Sequence, residues 1–271
     1  MKVAAVQMVS GVSLADNLAQ ARSLLEQAAQ AGAELAVLPE YFGAMGLRDS
    51  DKLTLCETWG DGAIQRFLAG AARELGLWIV GGTLPLACDS PERVHNSTLV
   101  FSAQGECVAR YDKIHLFRFD NGRERFDEAQ TIQAGREPAR FTMVARSGTP
   151  WRVGLSVCYD LRFPELYRAH ARAGADLLLV PSAFTYTTGR AHWEVLLRAR
   201  AVENLAYVLA PAQGGQHENG RRTWGHSMLV DPWGTVLAQQ DEGPAVVLGE
   251  LDAAHLAQVR SQLPALEHCV L

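Results

Sequence analysis

Apolar residues in this chain come in short runs separated by amphipathic stretches, a pattern that predicts strand and helix in alternation. The first run, Val3-Ala4-Ala5-Val6-Gln7-Met8, reads as a strand. Ser13 is placed to cap a helix with Asp16 at its third position. Leu14, Leu18, Ala21, Leu25 and Ala28 then share one helical face, and Gly32 suits the left-handed residue beyond it. A strand over 34–38 follows, then a helix over about 61–75 closed by Gly76, then a strand over 77–83.

The middle is richer in strands. Runs at 97–102 and 106–111 flank Ala103-Gln104-Gly105 and predict a hairpin. After a long polar loop, strands are expected near 140–145 and 151–157, a helix from about Pro164 to Ala173 closed by Gly174, and a strand over 176–180. A helix over roughly 191–204 and a strand at 206–210 come next. The chain ends with a strand over 223–230, a turn at Asp231-Pro232-Trp233-Gly234, two more strands, and a short helix over about 253–262.

One pattern recurs. Gly32-Ala33-Glu34-Leu35-Ala36-Val37-Leu38-Pro39-Glu40 is echoed by Gly174-Ala175-Asp176-Leu177-Leu178-Leu179-Val180-Pro181-Ser182. In each, a helix-ending glycine leads through an apolar strand to a proline, and a polar loop, a helix and another apolar strand follow. The echo has a bland explanation in common αβ grammar. Its sharper one is a two-fold pseudo-symmetric α/β fold, with two sheets packed together and helices outside, since strands apolar on both faces need cover on both sides.

Composition narrows the class. The chain has 271 residues, 48% of them hydrophobic, enough for a large core. A net charge of -5 offers no basic surface for nucleic acid. No apolar run is long enough to span a membrane, and the first residues lack a secretory pattern. The five cysteines (Cys56, Cys88, Cys107, Cys158 and Cys269) are odd in number and form no CxxC pair. That argues against a disulfide framework or zinc site and for a reducing, cytoplasmic setting. Cys56, Cys88 and Cys107 read as small buried hydrophobes, and Cys269 as exposed or packed at a contact.

Cys158 is different. It ends the run Val153-Gly154-Leu155-Ser156-Val157, and Pro164 opens a helix just beyond. A thiol at such an elbow sits at a sheet rim, within reach of a substrate and of backbone N–H groups. Glu40 and Lys113 end comparable apolar runs, so all three fall where ligands bind in open α/β sheets. A cysteine needs an activator. No histidine is near it in sequence, although His115, His192 and His226 are candidates in space. A buried carboxylate with raised pKa is the other choice. Taken singly, Glu40 reads as a cap or surface carboxylate and Lys113 as a solvated charge, while Cys158 divides evenly between core residue and nucleophile; their common placement is what favours a site.

Leu38-Pro39-Glu40, Tyr111-Asp112-Lys113-Ile114-His115-Leu116-Phe117 and Val157-Cys158-Tyr159-Asp160-Leu161-Arg162-Phe163-Pro164-Glu165 resemble the three signature regions of the nitrilase superfamily of carbon–nitrogen hydrolases. The resemblance runs nearly the whole chain and implies one domain over 1–271 with a four-layer αββα sandwich, two mixed sheets face to face and helices outside. It implies Glu40 as general base, Lys113 as oxyanion stabiliser and Cys158 as nucleophile, with Glu128 as a second glutamate that positions the lysine and substrate. Spacing alone does not select Glu128 over Glu124 or Asp127. Pro181-Ser182-Ala183-Phe184, Thr187-Thr188-Gly189, the 191–201 run and Trp224-Gly225-His226-Ser227-Met228 look like the Nit branch, nearer its deaminated glutathione amidases than its ω-amidases.

The implied reaction cleaves a small carboxamide to carboxylate and ammonia through a thioester, with the Tyr159 N–H as second oxyanion donor, and uses no metal or organic cofactor. Arg162 could grip a substrate carboxylate or form a structural ion pair. Phe184, Tyr186 and Thr187 follow a strand end and are candidate pocket wall. His192 and Trp193 read as packing, and Glu194 as a polar contact near the site. The resemblance also implies a homodimer or higher homo-oligomer. Alternatives are an ω-amidase, a nitrile hydrolase, an inert binding module, or a redox-sensing thiol protein, which would need a resolving cysteine near Cys158.

Overall fold

A computed structural model describes residues 1–270. The first half runs β1 (Lys2–Gln7), α1 (Leu14–Gln30), β2 (Leu35–Val37), α2 (Asp51–Thr54), α3 (Ala63–Leu75), β3 (Trp78–Val80), β4 (Leu84–Ala87), β5 (Val94–Phe101) and β6 (Cys107–Asp112). A small hairpin, β7 (Arg118–Asp120) and β8 (Arg125–Asp127), stands between the halves. Then come β9 (Arg140–Val144), β10 (Pro150–Leu155), α4 (Pro164–Arg172), β11 (Leu177–Leu179), α5 (Tyr186–Asn204) and β12 (Tyr207–Ala210). The chain finishes with β13 (Gly214–Gln216), β14 (Arg222–Trp224), β15 (Ser227–Val230), β16 (Val236–Gln240), β17 (Ala245–Glu250) and α6 (Ala253–Gln262).

Two sheets carry the fold. In the first the order is β17-β1-β2-β3-β5, with β4 and β6 also paired to β5; in the second it is β9-β10-β11-β12-β15-β16. In each, three parallel strands lie between antiparallel neighbours. β2 and β11 are the middle strands of these triplets, so the repeated Gly-to-Pro pattern corresponds to equivalent places in two sheets. Alternation along β1 explains the layering. Val3 and Ala5 join a core cluster with Leu35, Val37, Val153, Leu155, Leu177 and Leu179. Ala4 and Val6 face the other way, among Leu25 and Ala28 of α1 and Ile64 and Leu68 of α3. Tyr167 of α4 and Trp193 and Leu197 of α5 pack onto the second sheet. The result is the four-layer αββα arrangement that the resemblance implies.

Local chemistry sets the ends. Ser13 Oγ accepts from the Asp16 N–H to start α1, and α3 closes on Gly76 in the left-handed conformation. Four expectations need correction. The 223–230 stretch is two strands, because Gly225 and His226 both take positive φ (71° and 56°) and turn the chain out of one sheet. α5 starts at Tyr186 rather than Ala191, so His192, Trp193 and Glu194 lie inside the helix instead of opening it. The strand expected over 77–83 stops at Val80, and the chain turns through Gly82 into β4. Cys107 is exposed at the start of β6, and Cys56 and Cys88 are only half-buried. Among the described residues, no helix is long and apolar enough to cross a membrane.

Candidate active site

Glu40, Lys113 and Cys158 come together at the strand ends. Glu40 follows β2 and Lys113 follows β6, both in the first sheet, whereas Cys158 follows β10 in the second. All three are buried, and with Glu128 they meet beneath a cavity of about 400 Å³ that Glu40, Glu128 and Cys158 help to line. Lys113 Nζ donates to Glu40 Oε1 at 2.9 Å and lies 2.8 Å from Glu128 Oε2. Asn96 Nδ2 donates to Glu40 Oε1 at 2.9 Å, and the Ala183 N–H to Glu40 Oε2 at 3.0 Å. The Glu40 carboxylate and the Cys158 thiol line the same cavity, close enough for each to act on the other's charge.

Glu128 opens a short 3₁₀ turn after β8 and is the acid that reaches the lysine. Asp127 lines the cavity, and Glu124 accepts from Thr187 Oγ1 at 2.8 Å. Glu128 is held by the Tyr41 hydroxyl at 2.9 Å and the Phe117 N–H at 2.7 Å.

The electrostatics separate the two glutamates. Burial pushes the Glu40 carboxyl above the usual carboxylate range, with Lys113 opposing and Glu128 adding to the rise. Burial acts the same way on Glu128, but Lys113 and the Phe117 N–H outweigh it and hold that carboxyl below the usual range. Desolvation pulls the Lys113 ammonium down, yet Glu128 and Glu40 together hold it well above the ordinary lysine value. Burial, then the charge of Glu40, push the Cys158 thiol well up, only partly opposed by Lys113. The resting sulfur is therefore a neutral thiol beside an unusually basic carboxylate, an arrangement suited to removing the proton as the sulfur attacks.

The elbow explains how the thiol is presented. Cys158 has φ 48°, a left-handed conformation that costs a non-glycine residue about 1–3 kcal/mol. Asp160, fully buried, anchors the turn. It accepts from the Val157 N–H at 2.8 Å, the Tyr111 hydroxyl at 2.6 Å and the His115 N–H at 3.0 Å. Two of those donors come from the chain around β6, so Asp160 ties the elbow of one sheet to the strand that delivers Lys113 in the other. The histidines do not activate the sulfur. His115 Nδ1 meets Asp160, His192 meets Arg162, and His226 Nδ1 meets the Trp224 carbonyl.

The remaining expected residues divide. Tyr159, Arg162 and Phe184 line a small annex that opens beside Cys158, together with Thr185 and Thr188. Arg162 pairs with no carboxylate among the described residues; it meets His192 Nδ1 at 3.2 Å and lies over the Tyr159 and Phe184 rings. Tyr186 and Thr187 stand behind the rim instead of lining it. Tyr186 packs on Trp224 and under the Arg222 guanidinium, 3.9 Å from its ring centre, and Thr187 holds Glu124. Glu194 is a correction: it is exposed on α5, pairs with Arg198 and lines a separate groove, because α5 packs the neighbouring Trp193 and Leu197 inward and leaves Glu194 to solvent. Tyr41, Asn96, Asp160 and the rim residues Asp49, Lys52, Arg221 and Arg222 were not anticipated. Tyr41, Asn96, Arg221 and Arg222 meet partners far away in sequence, and Asp160 meets Tyr111 and His115 as well as the nearby Val157 N–H, so no local pattern marks these roles.

Comparison with known proteins agrees with this geometry. The carbon-nitrogen hydrolase family model matches residues 2–261. The deaminated glutathione amidase of Synechocystis sp. is 41% identical over 270 residues, covering 98% of this chain and 97% of that protein. The crystal structure of Saccharomyces cerevisiae Nit3, a nitrilase superfamily member, superposes with a TM-score of 0.85 at 30% identity, covering 97% of this chain and 94% of that one. A mutant amidase from Nesterenkonia sp. AN1, at 28% identity and a TM-score of 0.77 over 97% of this chain and 98% of that one, carries acrylamide added to its active-site cysteine. The chain belongs to the carbon–nitrogen hydrolase family of the nitrilase superfamily, and it is a hydrolase of carbon–nitrogen bonds other than peptide bonds.

Proposed function

We propose that the protein is a cysteine-dependent amidase acting on deaminated glutathione. The observation that carries the mechanism is the buried Glu40–Lys113–Glu128 hydrogen-bond chain at the base of the cavity, with the Cys158 sulfur lining the same cavity as Glu40. Glu40 takes the thiol proton as Cys158 Sγ bonds to the amide carbonyl carbon. Lys113, with three N–H donors and two carboxylate partners, keeps one donor for the developing oxyanion. The Tyr159 N–H, at the head of the turn, is the second donor. Glu40 returns the proton to the nitrogen as the C–N bond breaks, and the acyl group remains as a thioester. Water then gives a proton to Glu40 and adds to the thioester; the C–S bond breaks, and the thiol recovers its proton.

The substrate is inferred from the names of the relatives and from the annex. A 2-oxoacyl chain ends in a carboxylate, and the unpaired Arg162 guanidinium beside Cys158 suits it. In deaminated glutathione the acyl group is linked to cysteinylglycine, so the leaving group is an amine and not the ammonia of a simple carboxamide. Incubation with deaminated glutathione should release 2-oxoglutarate and cysteinylglycine, and the folded Cys158→Ala variant should release neither. Full activity in that variant would remove the mechanism, whereas turnover of 2-oxoglutaramate alone would replace the substrate with that of an ω-amidase.

A further inference from the structure

Three cations line the large cavity, and they differ in their partners. Arg221 Nη2 meets Asp49 Oδ1 at 2.5 Å, and Arg222 Nη2 meets Glu242 Oε1 at 2.7 Å. Lys52 has no carboxylate within ion-pair distance among the described residues; its Nζ lies 5.4 Å from the centre of the Tyr41 ring. The acids around it are occupied, Glu40 and Glu128 by Lys113 and Asp49 by Arg221. Loss of water draws the Lys52 ammonium below its ordinary value, with Glu128 and Asp49 only partly compensating. A half-buried cation that lines a cavity, with no carboxylate within ion-pair distance, is suited to an anionic ligand.

A second unpaired cation, Arg162, stands in the annex. Annex and cavity meet at Cys158, which lines both. One free cation therefore lies on each side of the sulfur that attacks the scissile bond. The cavity falls within the ~300–1,000 Å³ of small-molecule clefts and leaves room beyond a short amide. Glu124 and Asp127 also line it, so an anionic group there needs a local positive charge to be tolerated.

The geometry points to Lys52 as the seat of a carboxylate on the leaving-group side of the scissile bond, selecting amides that carry one carboxylate on each side over short amides that release ammonia. This assignment rests on the amidase reading above and specifies how that site chooses its substrate. Deaminated glutathione has such a pair, one carboxylate on its oxoacyl chain and one on its glycine. 2-Oxoglutaramate has only the first.

The test compares steady-state rates of the native protein, Lys52→Met and Lys52→Arg on deaminated glutathione, its C-terminal glycinamide form and 2-oxoglutaramate. In Lys52→Met the ratio of kcat/KM on deaminated glutathione to that on 2-oxoglutaramate should fall about tenfold or more, through KM, as expected for a lost charged hydrogen bond. Lys52→Arg should restore most of the ratio. The native protein should show a KM about tenfold higher for the glycinamide form than for the free acid, a comparison that holds even if a variant fails to fold. An unchanged ratio in Lys52→Met, or equal KM values for free acid and glycinamide, overturns the assignment. Failure of the native protein to cleave deaminated glutathione at all would instead sink the substrate reading on which it stands.

Discussion

At the scale of single residues, the proposed chemistry depends on a thiol whose pKa is raised and a carboxylate that is more basic than usual. Replacing Glu40 with Gln should lower kcat by roughly 10²–10⁴-fold, the usual contribution of a positioned base, while an electrophile still labels Cys158. The rate should rise with pH through a midpoint above the ordinary carboxylate range, since Glu40 must be ionised to act and burial has raised it. An acid limb at the ordinary glutamate value would contradict that role. Glu40, Lys113 and Cys158 were visible in the sequence because each ends an apolar run. Glu128 needed the family resemblance, since only the β7–β8 hairpin distinguishes it from Glu124 and Asp127. Lys52 was invisible, because what matters about it is the absence of a partner.

At the scale of elements, the elbow and the β3–β4 turn hold the reacting groups in place. Asp160→Ala would strand the Tyr111 hydroxyl and the Val157 and His115 N–H groups in a buried site. The expected cost is roughly 3 kcal/mol, a Tm lowered by about 5–10 °C in a calorimetric scan. Gly82 sits at φ 48°, where a β-carbon would overlap the Pro39 carbonyl oxygen, so a side chain there would collide with the backbone that aims Glu40. Gly82→Ala should therefore reduce kcat as well as Tm, whereas a change at the open Gly148, also at positive φ, should show only local strain. The sequence pattern located α6 and the capped start of α1, where the signals are local. It merged β14 with β15, because the break depends on His226 in a left-handed conformation, which side-chain type does not announce. It also missed β4, which owes its place to pairing with β5.

At the scale of the whole molecule, acid stability follows from buried imidazoles. Desolvation lowers the pKa of His170 and His217; the Leu155 carbonyl and the charge of Asp160 offset it only in part at His170, and the Ser10 carbonyl only in part at His217. Unfolded, each takes up a proton near 6.5; folded, each resists until lower pH. Below that value the unfolded chain binds more protons, so these two groups make stability fall as pH drops toward their folded pKa. Glu128, held low, adds the same trend at more acidic pH, and Glu40, held high, opposes it. Melting temperature followed from pH 7 to 5 should fall, and His170→Gln should flatten the slope; an identical slope would remove His170 from the account. The layered architecture itself was legible from the doubled Gly-to-Pro pattern, since both central strands are apolar on both faces and must be covered twice.

The base and the sulfur belong to different sheets, joined at the site by the Ala183–Glu40 and Tyr111–Asp160 hydrogen bonds. In the mechanism proposed above, catalysis thus gauges how the two halves of the sandwich sit on one another. A slip of an ångström along their shared interface would leave circular dichroism untouched and still pull proton acceptor from nucleophile. On gentle warming, turnover should fade before the far-ultraviolet signal does, and a covalent thioester mimic on Cys158 should close that gap.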